Sequence, residues 1–546
     1  MVNFLLLIIF ISKYVLKLKF TNSNFYRIFS VFLCFCSALI FSIVILFSRE
    51  GILLDSVWNL TQDLDFSDNN RLISMSLCIV HISLCIFYFI SQKKFLYEFF
   101  LGNFLIFFSY IAILTVNLLT IFYMIEIIGI ISSIIIFTSP NTFGRANTKS
   151  YFLNHCIANS LILFSLVFLS SHGNEMSIDN FHHYYEQNFS FKICYYFLLI
   201  GFLINIGFFP FSGYIIYSYS SASYFGYLYL FFLSNISIYI IFKLFAGLQI
   251  LFYLSIFSFF YLGLKMFFIK NILQVFTNVF TMQNSFLIAF ISLAVSENQD
   301  ILDQNIILYM FISFCYKYLI NFSIIYLLLK TKIQDIKSLL KESNFILYFT
   351  FVFALINMFN FPFLSIFYIK SNILFLIDNI YLDVFVILGN CFLILVFPWK
   401  KILLRKIFFN NIYEGFFPFI VLILIFMIFL PFISTKFSCF LDINYLKNYI
   451  EQILVILFGI IFSKFIKIKS SSNSTIFSFF DYILNNVTVF LNKFHLENHP
   501  IIAKKFFTKI FYFVEKKVFY LENHSVKTSL LIIIFVLEFS LFIFIK

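Results

Sequence analysis

The chain has 546 residues, of which 62% are hydrophobic and 11% charged, and a formal net charge of +12. Too few polar residues remain to cover the surface of a water-soluble protein, so soluble globular classes are excluded. The positive charge is spread over short segments between apolar runs and forms no single patch, which argues against a nucleic-acid partner.

Apolar runs of about 18 or more residues recur along the chain, each long enough to cross roughly 30 Å of hydrocarbon as a helix. In chain order they predict spans near 4–20, 27–47, 74–91, 97–117, 119–138, 151–171, 191–210, 224–248, 250–269, 272–296, 305–329, 345–368, 373–398, 415–435, 449–468 and 526–545. The runs lack the two-residue alternation of a barrel, so the expected fold is an all-α polytopic membrane protein of about 16 transmembrane helices. The first run has no small-residue cleavage site and reads as a mature helix, not a signal peptide. Segments 17–27, 92–95 and 143–149 are basic, whereas 48–70 and 172–190 carry Asp and Glu. That asymmetry predicts an N-terminus on the outer face.

The nine Cys are scattered, apart from Cys34 and Cys36, and form no CxxC, so disulfides, iron–sulfur clusters and zinc are not expected. His182 and His183 sit in a polar loop and are read as without a metal role. The 89 Phe residues fit an A+T-rich coding bias, as in an organelle genome, and are read as lipid-facing or core filler.

Five segments are expected: N-terminal transmembrane helices (1–118), a core with two pseudo-repeats (119–398), C-terminal transmembrane helices (399–470), an amphipathic helix (471–525) and a terminal anchor (526–546). After "IKIKSSSNST" (466–475), polar residues return every few positions, from Asp481 and Asn485 to Lys516 and Glu522. Residues 476–523 therefore predict a helix lying along the membrane, roughly 70 Å long at 1.5 Å per residue.

Three charges stand inside apolar runs: Glu126 in "FYMIEIIGIISSIIIF", Lys317 in "FISFCYKYLINF" and Lys370 in "FNFPFLSIFYIK". A charge at the centre of a bilayer helix costs roughly 2.5–3.5 kcal/mol, and such residues usually face a hydrated interior and mark an ion or proton path. A structural ion pair between helices is the alternative. Lys243 and Lys265 lie nearer helix ends and are expected to snorkel. Backbone breakers accompany the charges: Gly207, Pro210 and Gly213 in one run, Pro362 in another. Both helices are expected to be interrupted, with Asn205, Ser212, Asn360 and Ser365 re-satisfying the freed carbonyls. Interruptions at corresponding places suggest an internal repeat, 119–248 and 250–398, with ion sites at the breaks.

These residues resemble the antiporter-like membrane subunits of respiratory complex I (chains 2, 4 and 5), most closely the mitochondrial chain 5 branch. "IEIIGIISSIIIF" is similar to the segment holding the family's essential glutamate, placing it at Glu126. "RANTKSYFLNHCIANSLILF" (145–164) resembles a stretch ending in Asn-Arg, here Asn154-His155. "GFLINIGFFPFSGYIIYSYS" resembles the family's broken helix. "QDIK" (334–337) and "FPFLSIFYIKSNIL" (361–374) resemble chain 5 in particular, as do the amphipathic helix and anchor. The chain departs from the family at several sites. The broken-helix lysine is Asn205, the Pro-Phe-His histidine is Ser212, two histidines before Lys317 are Ser313 and Tyr309, and the Asp after Lys370 is Ser371.

The resemblance implies a proton path through Glu126, Lys317 and Lys370, with Asn205, Ser212, Tyr309 and Ser313 as supporting polar groups. It implies partners among other complex I membrane-arm subunits, and lipids such as cardiolipin, in the mitochondrial inner membrane. It implies no redox site here: NADH, FMN, iron–sulfur clusters and ubiquinone would belong to other subunits of an NADH:ubiquinone reductase. With Asn205 unable to titrate, two alternatives stand beside a working pump: a structural subunit that moves no protons, and a subunit of a multisubunit cation/proton antiporter.

Overall fold

A computed structural model describes residues 65, 67–90, 96–139, 144–171, 178, 189–209, 211–266, 269, 271–294, 299–331, 345–359 and 365–396. The expected spans before residue 65 and after 398, the helix along the membrane and the terminal anchor lie outside the described residues.

Every element among the described residues is a helix. In chain order they are α1 (Asp68–Ile90), α2 (Leu96–Leu114), α3 (Leu118–Phe137), α4 (Gly144–Ser171), α5 (Phe189–Ile206), α6 (Ser212–Ser221), α7 (Tyr224–Phe245), α8 (Ile250–Met266), α9 (Ile272–Ser292), α10 (Gln299–Thr331), α11 (Phe345–Met358), α12 (Ser365–Ile377) and α13 (Ile380–Val396). By length and composition α3, α4, α7, α9 and α10 each hold a stretch able to cross a bilayer. The protein is a multi-pass, all-α membrane protein.

Short polar residues set the starts. Asn117 accepts from the Leu119 and Thr120 amides at the head of α3, Ser223 from Gly226 at α7, and Asn271 from Leu273 at α9. Each satisfies amides that the first turn leaves without a partner, which matters more where water is scarce.

The expected runs 191–210, 345–368 and 373–398 resolve differently from single spans. α5 stops at Ile206 and α6 begins at Ser212; α11 stops at Met358 and α12 begins at Ser365, leaving α13 to start after a turn at Asp378. Pro210 and Pro362 fall in the two gaps and lie outside the described residues. Gly207 takes a left-handed φ of 72°, which turns the chain out of α5. Two carbonyls near these ends have side-chain partners other than the groups expected. Tyr214 donates its hydroxyl to Ile204 O at 2.5 Å, and Gln283 of α9 donates to Met358 O at 3.0 Å. Asn205 turns to other partners, and Ser212 Oγ is buried with no hydrogen-bond partner among the described residues. Asn360 and the Ser365 side chain lie outside the described residues.

Packing repeats. α2–α3, α3–α4, α4–α5, α4–α6, α2–α7 and α3–α7 are neighbours, and so are α8–α9, α9–α10, α10–α11, α10–α12, α8–α13 and α9–α13. Each set joins four helices and one interrupted helix.

Contacts between helix ends define two faces. On the first, Asp65 N donates to Leu114 O at 2.7 Å, Ile178 N to Val116 O at 3.1 Å and Gly247 N to Ile291 O at 2.9 Å. On the second, Ser139 Oγ donates to Ser221 O at 2.6 Å and Asn147 to Tyr217 O at 3.2 Å. Helix alternation puts the start of α10, with Asp300 and Asp303, on the first face.

Candidate functional site: three buried polar clusters

The first cluster joins α3, α4 and α5. Glu126 sits mid-helix on α3, but its side chain is 37% exposed, so it lies at the margin of the helix bundle and not in its interior. It accepts a hydrogen bond from Asn159 Nδ2. The same nitrogen meets His155 Nε2 at 2.9 Å, and His155 Nδ1 meets Asn205 Oδ1 at 3.2 Å. Asn205 Nδ2 closes the set on Asn159 Oδ1 at 3.4 Å. A neutral imidazole with its hydrogen on Nδ1 satisfies every one of these bonds. Glu126 and His155 are 3.9 Å apart and form an ion pair only when the imidazole is protonated. Tyr151, His155 and Asn159 follow at four-residue spacing on one face of α4, and Tyr151 stacks on His155 with centroids 6.1 Å apart. Gly129 leaves the space that His155 fills: a Cβ there would overlap the ring.

The second cluster joins α9, α10 and α11. Lys317 is fully buried, and its Nζ donates to Asn284 Oδ1 at 2.7 Å. It has no carboxylate partner among the described residues. Next to it, Tyr316 donates to Gln283 Oε1 at 3.1 Å, and Gln283 holds the last carbonyl of α11. Ser313, one turn before Lys317, donates to Met310 O at 2.8 Å. Tyr309, two turns before, presents its ring edge-on to Phe290 at 5.5 Å. One turn beyond Lys317, Asn321 is fully buried, and neither its Nδ2 nor its Oδ1 has a partner among the described residues.

The third cluster joins α9, α12 and α13. Lys370 is buried, reaches Asn390 Oδ1 at 3.4 Å and lies over the Phe286 ring, 4.4 Å from its centroid. α9 therefore touches both buried lysines, through Asn284 and, two residues on, Phe286. Every α9 residue but Gln274 is buried.

Glu126, Lys317 and Lys370 thus occupy three separate clusters; Asn205 joins the first, and Ser313 and Tyr309 flank the second. No hydrogen-bonded path links Lys317 to Lys370 directly among the described residues. The partners Asn159, His155, Asn284, Gln283, Asn390 and Phe286 were not expected from the sequence. The available signals were the His155–Asn159 spacing of four and the density of polar residues in "TNVFTMQNS" (277–285).

No protein-family model matches the chain, and no curated protein does. Solved structures do. One chain from the membrane-bound sulfane sulfur reductase, an archaeal respiratory membrane complex, superposes with a TM-score of 0.67 at 12% identity, over 83% of this chain and 97% of that one. A chain of the Mrp complex from Dietzia sp. DQ12-45-1b superposes with a TM-score of 0.61 at 13% identity, over 70% and 76%. The chain shares the fold of membrane subunits from multi-subunit complexes.

Proposed function

We propose that the chain is an antiporter-like, proton-translocating subunit of a multi-subunit membrane complex, and more narrowly a chain 5 type subunit of respiratory NADH:ubiquinone oxidoreductase in the mitochondrial inner membrane. The observation that carries the reading is Lys317: an amine mid-helix, fully buried, held by a neutral amide. A lysine kept only for structure would be expected to have a carboxylate beside it, because an uncompensated buried charge costs several kcal/mol. An amine held by an amide oxygen keeps that bond whether or not it carries the extra proton, so it can take up and release protons without rearranging its site.

The fold likeness supports the multi-subunit setting. The outward-facing side of Glu126 suits contact with a neighbouring subunit or water, and Asn159 holds its inner oxygen. On this reading the redox groups, FMN and iron–sulfur clusters, and the NADH and ubiquinone sites belong to other subunits. Asn205 favours a second reading. It puts an amide where a partner for Glu126 would otherwise be cationic, so the first cluster fits a structural role as well as a proton path. A third, a subunit of a multisubunit cation/proton antiporter, is supported by the likeness to the Mrp chain.

Two measurements separate these. Native membranes are solubilised and resolved, and the chain is followed with NADH:ubiquinone reductase activity. Co-migration supports the complex I reading, and migration with a cation/proton exchange activity instead supports the antiporter. In the assembled complex, Lys317→Met should abolish proton movement through this subunit. Unchanged pumping per electron pair would leave the structural role.

A further inference from the structure

The two interrupted helices are closed in different ways. At the first break the chain holds itself: Tyr214, in the first turn of α6, donates to Ile204 O of α5 at 2.5 Å. At the second break a separate helix does so. α11 ends at Met358, where helix bonding leaves the last carbonyls without amide partners. Gln283 of α9 donates its Nε2 hydrogen to Met358 O at 3.0 Å. Three residues on, Phe286 faces Lys370 of α12, with Nζ 4.4 Å from the ring centroid. Residues three apart share a helix face. One turn of α9 therefore touches both halves of the broken helix, α11 through Gln283 and α12 through Phe286.

Both contacts are stiff. Met358 O can only accept, so Nε2 of Gln283 must face it. Tyr316 of α10 donates its hydroxyl to Oε1 at 3.1 Å and so fixes the other end of the amide. Gln283, Met358 and Tyr316 are all buried, which keeps bulk solvent from taking the place of either partner. Phe286 is seated against Gly389 of α13, where a Cβ would lie 2.6 Å from the ring.

We propose that Gln283 is a positioning residue for Lys370. It holds the end of α11 to the same turn of α9 that carries Phe286. In doing so it sets where α12 stands, and keeps Lys370 over the ring and within reach of Asn390. The role needs a donor and an acceptor in one side chain. Methionine matches glutamine in length but has no donor. Glutamic acid serves while neutral: its O–H donates to Met358 O and its carbonyl oxygen accepts from Tyr316. The carboxylate only accepts, and would turn lone pairs on Met358 O. Gln283→Glu therefore makes the contact titratable. The effect on transport rests on the proton-translocating reading of the chain; the effect on the placement of Lys370 does not.

The test uses the assembled complex and has two arms. In the first, its structure is determined with Gln283→Met. The end of α11 should move off α9, and Lys370 should leave the Phe286 ring. Lys370 in its original place overturns the proposal. If that variant does not assemble, Gln283→Glu is assembled at acid pH and compared with itself after the pH is raised, with the same two outcomes. In the second arm, proton transport across sealed native vesicles is measured against pH for wild type, Gln283→Glu and Lys317→Met. Relative to wild type, Gln283→Glu should be near normal at acid pH and fall reversibly as pH rises, by up to about 100-fold, the scale of a misplacement of about 1 Å. A glutamine that merely fills space would give no such profile. A loss equal at every pH, or no loss at all, overturns the proposal. Unchanged transport in Lys317→Met overturns the proposed function instead, and the first arm then decides the placement of Lys370 without it.

Discussion

Lys317 and Asn284 meet across the α10–α9 contact, with Nζ 2.7 Å from the amide oxygen. The pairing of a titratable amine with a neutral acceptor has a direct consequence for mutation. Asn284→Asp would put a carboxylate at the same distance and hold the amine in its charged form. We expect this variant to keep or raise its thermal midpoint while proton transport falls on the order of tenfold, since one unit of pKa change is about 1.4 kcal/mol. Transport at the wild-type rate in sealed vesicles would show that Lys317 does not cycle its proton. Asn284→Ala should instead destabilise, by about 1–3 kcal/mol, because the amine is left without its acceptor.

Gly129 and His155 occupy the space of one side chain. Gly129→Ala would push the imidazole off Asn159 and Asn205 and disturb the neighbours of Glu126. The expected loss is about 1–3 kcal/mol from overpacking. His155→Ala on top of Gly129→Ala should recover part of the thermal midpoint, because it removes the overlap. A double variant no more stable than the single one would mean that the ring is not what the methyl meets.

Gly207 sits in the left-handed region with the Ile215 side chain against it. Gly207→Ala faces both a backbone penalty of roughly 1–2 kcal/mol and a steric overlap. Ile215→Ala should relieve only the second. Thermal midpoints of the two single variants and the double variant separate the terms; full recovery in the double would show that the backbone conformation costs nothing.

Phe286 supports Lys370 through its ring face at 4.4 Å. Phe286→Leu keeps an apolar contact and removes the attraction, a loss of up to about 2 kcal/mol when desolvated. Phe286→Tyr keeps the ring. Transport through Lys370 should therefore change in the leucine variant and stay close to wild type in the tyrosine variant. Equal transport in the two would show that packing alone matters there.

Much of the fold was legible because the bilayer demands long apolar helices, and the composition leaves no other way to hide backbone polar groups. Lys317 and Lys370 were legible for the same reason, as charges with nothing else polar enough nearby to excuse them. The breaks were visible as Pro210 and Pro362, but the side chains that hold the carbonyls near them were not. Tyr214 reaches back ten residues and Gln283 comes from α9, 75 residues earlier in the chain, and neither relation is written in local spacing. Glu126 was visible as a charge in an apolar run, but its place at the margin of the bundle was not: hydropathy marks a span but not which side of it meets other helices. Asn159, Asn284 and Asn390 were passed over because asparagine is common in this chain, so a single one draws no notice. Each earns its role from the helix it faces.

α9 carries a further consequence, for how the molecule is made. It buries Thr277, Asn278, Thr281, Gln283, Asn284 and Ser285, and its partners for them come from both earlier and later helices: Asn278 donates to Leu262 O of α8 at 2.7 Å, while Lys317 and Met358 lie further along the chain. As it leaves the ribosome, only the partners on α7 and α8 exist, Tyr227 against Thr277 and Leu262 O against Asn278. A lone α9 would show Gln283 and Asn284 to lipid, so the insertion machinery must shelter it beside α8 until α10 and α11 arrive. A chain cut after α9 should stay bound to its insertase and be degraded, whereas one cut after α11 should be released into the bilayer.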